Sequence, residues 1–179
     1  VKVFEFGVVD GQHFLAMEYV DGWDFRRLIR RTRERQGAFP IAVAACILEQ
    51  TLAGLHAAHE QNDHQGASLE VIHRDVTPAN ILLGYGGEVK LTDFGIAKTR
   101  WTRSRTQAGF VKGKVRYMSP EQGRKETLDR RSDIFSAGVV LYYAMTGQYP
   151  FRGENEAEVL EAVRRGAFVP ASAYRPELG

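Results

Sequence analysis

Apolar and polar positions change period several times along the chain, and each change marks a predicted element. "VKVFEFGVVDGQHFLAMEYV" (1–20) reads as two strands joined by a turn at Asp10-Gly11. "FRRLIRRTRER" (25–35) predicts a short helix with a strongly basic face, broken between Gly37 and Pro40. Pro40 suits the first turn of a second helix. There Ile41, Ala45, Leu48, Leu52, Leu55 and His59 recur at three- and four-residue spacing and make one face largely apolar. "QNDHQGAS" (61–68) is a polar loop, and "GYGG" (84–87) turns into "EVKLTDFG" (88–95), where Val89 and Leu91 alternate with Lys90 and Thr92 as in a half-buried strand. From Ile96 to Lys114 no period is visible, which predicts a long surface loop. "SDIFSAGVVLYYAMTG" (132–147) is apolar nearly all round and predicts a buried central helix. "NEAEVLEAVRRG" (155–166) has acids at its start, arginines at its end and a stopping glycine, as a capped surface helix should.

Composition changes this picture little. Of 179 residues, 44% are hydrophobic and 26% charged, which is ordinary for a globular chain. The net charge of +2 is too small to argue for a nucleic-acid surface, and no nucleic-acid partner is expected. The arginines at 26, 27, 30, 31, 33 and 35 read first as a solvated helix face and otherwise as a site for an acidic substrate or nucleic acid. The single cysteine, Cys46, can form no internal disulfide and reads as a small buried hydrophobe. "FSAGVVLYYAM" is too short to cross a bilayer, so no membrane segment is expected in the chain. His56 and His59 lack the partners that a metal site would need. The chain opens on Val1, directly in a strand-like pattern, and so reads as a piece of a longer protein.

The candidate chemistry lies in "VIHRDVTPANILL" (71–83) and just after it. Asp75 and Asn80 share one short loop, and Asp93 follows a strand able to pair beside it. Two carboxylates and an amide oxygen converging on one point can hold a hard cation. A carboxylate left free of metal can orient a hydroxyl and accept its proton. Phosphoryl transfer needs that combination.

His73-Arg74-Asp75 with Asn80, then Asp93-Phe94-Gly95, then Ser119-Pro120-Glu121, resembles the eukaryotic-type protein kinase signature, in order and at plausible distances. The resemblance covers essentially the whole chain. "YMSPEQ", "HRDVTPAN" and "GKVRYMSPEQ" look like serine/threonine kinases of the bacterial, myxobacterial-like branch. The fold class it implies is α+β: a mostly helical C-terminal lobe (21–179) with a two-strand remnant of the N-terminal lobe (1–20). It implies ATP and Mg2+ as cofactors, a protein substrate and a cytoplasmic location, with a membrane anchor outside this chain as the alternative for the parent. It makes Asp75 the catalytic base and Asn80 and Asp93 the magnesium ligands. Met17 becomes the gatekeeper. Glu18 to Val20 form the hinge that binds adenine, Asp24 an acid on the ribose, and Ala79 and Leu82 further parts of the nucleotide site. His73 and Phe94 belong to a hydrophobic spine, Gly95 and Glu121 to the structural motifs, and Asp133 holds the catalytic-loop backbone. Arg74 pairs with a phosphate in the activation loop, where Thr102, Ser104 and Thr106 are candidates.

Two positions depart from the pattern. The family usually has Lys where Thr77 stands, and Thr where Lys114 stands. If the two face each other, the ammonium reaches the phosphate from the other loop; otherwise these are unrelated drifts with impaired activity. No GxGxxG and no VAIK-like strand occur in the 179 residues, so the chain alone is expected to be inactive, and the arginine that pairs with Glu121 is expected beyond Gly179. A pseudokinase-type binding module is the alternative; the presence of Asp75, Asn80 and Asp93 speaks against it. A small-molecule phosphotransferase fits poorly with Ser119-Pro120-Glu121.

Overall fold

The computed structural model describes residues 1–94 and 113–179. Within them lie two small antiparallel sheets and five α-helices. Strands β1 (Val3–Val9) and β2 (Gln12–Met17) form the first sheet. Asp10 and Gly11 both adopt positive φ, 50° and 75°, as the tightest hairpin turn requires. The second sheet has the order β3-β4-β5, from Gly22–Asp24, Ile81–Gly84 and Val89–Leu91. β4 and β5 are the pair expected around "GYGG". β3 is an addition: three residues are too few to show a period. It needs glycine at its start, since a Cβ on Gly22 would fall 1.9 Å from the Leu83 carbonyl oxygen.

Helix α1 (Phe25–Gln36) follows β3 directly, because Asp24 caps it by accepting the Arg27 N–H at 2.9 Å. It stops at Gly37, which is left-handed at φ 77°. Helix α2 (Ile41–His59) packs on α4 and β5. Its length and mean hydropathy of 1.5 meet the size of a membrane span, yet one side is buried in the core. That side is Ala44, Ile47, Leu48, Thr51, Leu55 and His59. Leu48, Leu55 and His59 of the expected face are buried, but Ala45 and Leu52 are exposed, and Ala44, Ile47 and Thr51 take the remaining buried positions. Cys46 is exposed as well, contrary to its expected burial. Apolar residues occur nearly all round α2, so spacing could not choose the buried side; α4 does.

Helix α3 (Pro120–Arg124) is one short turn, α4 (Arg131–Thr146) is the central helix, and α5 (Glu156–Arg165) is capped by Asn155. The core joins Phe25 and Ile29 of α1, Leu48 and Leu55 of α2, Val76, Ile81, Val140 of α4, and Val159 and Val163 of α5. Burying each such side chain contributes about 1.5–3 kcal/mol. This packing holds the 71–80 loop between α2, α4 and the second sheet.

Candidate active site

The loop that precedes β4 is anchored from below by one buried carboxylate. Asp133, in the first turn of α4, is 1% exposed. Its Oδ2 accepts the His73 N–H and binds His59 Nε2, both at 2.8 Å; its Oδ1 accepts the Arg74 N–H at 2.8 Å. The His59 contact is invisible to spacing: His59 closes α2, and only the packing of α2 on α4 brings it to Asp133. Arg74 itself has φ 66°, a left-handed geometry that costs an arginine energy and that these bonds hold in place. Among the described residues, the buried Arg74 Nε has no hydrogen-bond partner.

His73 is fully buried. Its Nδ1 accepts the Asp75 N–H at 3.3 Å, and its Nε2 lies 3.0 Å from the Thr92 carbonyl oxygen. Those partners require the neutral ring with its proton on Nε2. Burial holds its pKa below the ordinary value. The ring packs on Phe94, with centroids 4.5 Å apart.

These contacts present Asp75. Its Oδ2 receives the Lys114 ammonium in a short ion pair and the Asn80 Nδ2 at 3.3 Å; that same Nδ2 donates to the Asp75 carbonyl at 2.8 Å. Both Asn80 donor contacts use the nitrogen, so the amide oxygen is left as an acceptor. The Asn80 carbonyl accepts the Thr92 N–H at 2.9 Å, which sets Asp93 alongside. Asp93 is exposed and left-handed at φ 58°. An amide oxygen and an exposed carboxylate suit a hard cation that takes its remaining ligands from phosphate and water.

Lys114 opens a 3-10 turn, Lys114–Tyr117, just after Gly113 at φ 95°. Thr77, 6% exposed, lines one small crevice with Asp75, Lys114, Tyr117 and Gln122. The two exchanged positions therefore border the same crevice, although the ammonium's partner there is Asp75. Ser119 caps α3 in a reciprocal pair with Gln122, and the Gln122 Nε2 donates to the Arg74 carbonyl at 2.9 Å. Gln122 was not singled out in the sequence; its role depends on α3 docking under the loop. Glu121 accepts a hydrogen bond from Ser132 at 2.5 Å.

The residues expected around a nucleotide also meet. Leu82 lies opposite Asp24 in one ladder and opposite Lys90 in the other. The Lys90 ammonium forms a short ion pair with Glu18, and the hydrogen bond from Lys90 holds the Glu18 carboxyl below its usual range. The Met17 Sδ is 3.7 Å from the Thr92 Oγ1. Glu18 and Val20 follow the end of β2, and the half-buried Ala79 precedes Asn80. Asp24 has the capping role given above. Gly95, Thr102, Ser104 and Thr106 lie outside the described residues.

A family model described as "Protein kinase domain" matches residues 1–175. The chain is 42% identical over 178 residues to "Tyrosine-protein kinase MasK" of Myxococcus xanthus, covering 99% of this chain and 28% of that protein. It is 38% identical over 160 residues to "Serine/threonine-protein kinase PknL" of Mycobacterium tuberculosis, covering 89% and 37%. It is 33% identical over 181 residues to "Serine/threonine-protein kinase PrkC" of Bacillus subtilis, covering 96% and 26%.

Proposed function

The chain belongs to the protein kinase family, and from that premise we propose that it forms most of a catalytic domain that transfers the γ-phosphate of ATP to serine and threonine hydroxyls of proteins. The observation that carries this reading is the cluster of Asp75, Asn80 and Lys114 beside the exposed Asp93. Asp75 orients the incoming hydroxyl and accepts its proton. Asn80 and Asp93 would hold the magnesium ions that neutralise the phosphate charge. Lys114 brings an ammonium to the same crevice, where a partly desolvated cation stabilises developing negative charge more than it would in water. Thr77 then lines the crevice in place of the usual lysine.

Two named serine/threonine relatives support the choice of hydroxyl. The Myxococcus xanthus relative is named as a tyrosine kinase, so serine, threonine and tyrosine peptides belong in one assay. Residues 1–20 belong, in this reading, to the small lobe and 21–179 to the large lobe, working in the cytoplasm. That the Arg74 Nε has no partner among the described residues is consistent with its pairing with a phosphate on Thr102, Ser104 or Thr106.

In the full-length protein, Asp75→Asn should lower transfer from radiolabelled ATP by about 10²–10⁴ while Mg-ATP affinity stays nearly constant. Near-normal turnover would remove Asp75 from its assigned role. Asp93→Ala should weaken Mg-nucleotide binding as well; an unchanged titration would show that it is no metal ligand.

A further inference from the structure

Helix α1 carries six arginines and one acid, Glu34. Its first turn contains Arg26 and Arg27 and no acid, although cations at the positive end of a helix dipole are unfavourable. The charge of Arg26 and Arg27 does not serve the helix dipole. It falls in two stripes. In one, Arg27 stacks 4.2 Å over Trp23 and Arg31 pairs with Glu34 at 3.5 Å. The other holds Arg26, Arg30 and Arg33, at four- and three-residue spacing.

The N-terminal end of the second stripe adjoins the catalytic loop. The Arg26 N–H donates to the Pro78 carbonyl at 3.1 Å, within the 71–80 loop. Burial pushes the Tyr117 and Tyr143 hydroxyls up, and the nearby Arg26, with Arg33 at Tyr143, opposes that rise. Tyr117 itself lines the crevice with Asp75 and Lys114. Tyr149 stacks on Tyr143 at 4.7 Å and meets Tyr117 edge-on at 5.6 Å. From the other side Arg116 covers the Tyr149 ring at 4.7 Å. A tyrosine cluster next to Asp75 is thus flanked by guanidinium groups from α1 and from the Lys114–Tyr117 turn.

These cations are available. The Arg26 and Arg30 side chains are each 68% exposed, and their nearest carboxylates stand at 4.0 and 3.9 Å. Arg116 has no ion pair among the described residues. The exposed Arg26 and Arg30 guanidinium groups, with the half-buried Arg116, give the approach to the site a positive field.

We propose that this rim, Arg26, Arg30 and Arg116 above all, selects protein substrates that carry aspartate and glutamate near the phosphorylated hydroxyl. The proposal rests on the kinase reading and adds the substrate class. Acidic side chains would make charge-assisted contacts with the guanidinium groups, and basic ones would be repelled, so selectivity comes from both signs.

The test uses the full-length protein and three synthetic peptides with one acceptor hydroxyl, flanked by acidic, neutral or basic residues. The kcat/KM for the acidic peptide should exceed that for the basic one by about tenfold or more. The triple variant Arg26→Glu, Arg30→Glu, Arg116→Glu should reverse that ratio, and Arg27→Glu with Arg31→Glu should leave it nearly unchanged. Transfer to all three peptides at similar rates, or a ratio unmoved by the triple variant, overturns the proposal while leaving the kinase reading intact. Absence of transfer to any peptide overturns the kinase reading instead. Anisotropy titrations of fluorescent acidic peptide then decide the rim: salt-sensitive binding lost in the triple variant supports it. Equal binding by both proteins overturns it, as does selective loss of a single-stranded RNA probe with peptide binding unaffected.

Discussion

At the scale of single residues, the exchange of Thr77 and Lys114 is the sharpest question. Lys114 is ion-paired to Asp75, and Thr77 lines the same crevice. Lys114→Thr should therefore cut turnover sharply, and Thr77→Lys alone should also harm it by crowding two ammonium groups. The double variant should recover much of the loss, with a coupling of about 0.5–3 kcal/mol in the cycle. Strict additivity of kcat/KM would mean two unrelated changes. His73 gives a second residue-scale prediction, in pH. Burial depresses its folded pKa below the ordinary 6.5, so below that value the unfolded chain takes up a proton that the folded one refuses. The unfolded state then binds more protons, and stability rises with pH. The neutral ring's contribution should be complete above pH 6.5 and fall away as the solution is acidified toward the folded pKa. Urea denaturation at stepped pH should show this slope in the native protein and a weaker one in His73→Phe.

At the scale of elements, α4 separates two kinds of glycine. Gly147 ends the helix at φ 68°, and a Cβ there would fall 1.6 Å from the Arg33 guanidinium. Gly138 lies mid-helix with open space around its Cβ position. Gly147→Ala should cost about 1–2 kcal/mol from backbone conformation alone, plus the displacement of Arg33. Gly138→Ala should stabilise by up to about 1 kcal/mol. Differential scanning fluorimetry should thus show the two changes moving Tm in opposite directions; a fall for both would mean that Gly138 serves a close contact. The helices are legible where breaks and stops mark them, as at Gly37 and Gly166, whereas the cap at Asp24, read from the sequence as an acid on the ribose, is a finding of the structure. The buried side of α2 is legible only in part, at Leu48, Leu55 and His59, because its apolar residues occur on several sides.

At the scale of the whole molecule, β1 and β2 leave Phe6, Val8 and Leu15 largely exposed on one face of the hairpin and Val9 on the other, with Val3 and Phe4 exposed beside them, apolar surface of the kind that seeks cover. The 179-residue chain expressed alone should bind a hydrophobic dye, associate at micromolar concentration and show no autophosphorylation. Robust autophosphorylation by it would overturn the expectation drawn from the lack of GxGxxG and a VAIK-like strand. What the sequence determined by itself was local: hairpin turns, helix caps, and the order and spacing of His73-Arg74-Asp75, Asn80, Asp93 and Ser119-Pro120-Glu121. Such signals act within a few residues and can be read there. Tertiary structure alone decided that His59 joins Asp133, that Lys90 meets Glu18, that Gln122 holds the Arg74 carbonyl, and that the Lys114 ammonium reaches Asp75 across 39 positions. Each of these pairs is separated by tens of residues, and its partners are chosen by how helices and sheets pack, so no pattern in the neighbouring sequence encodes them.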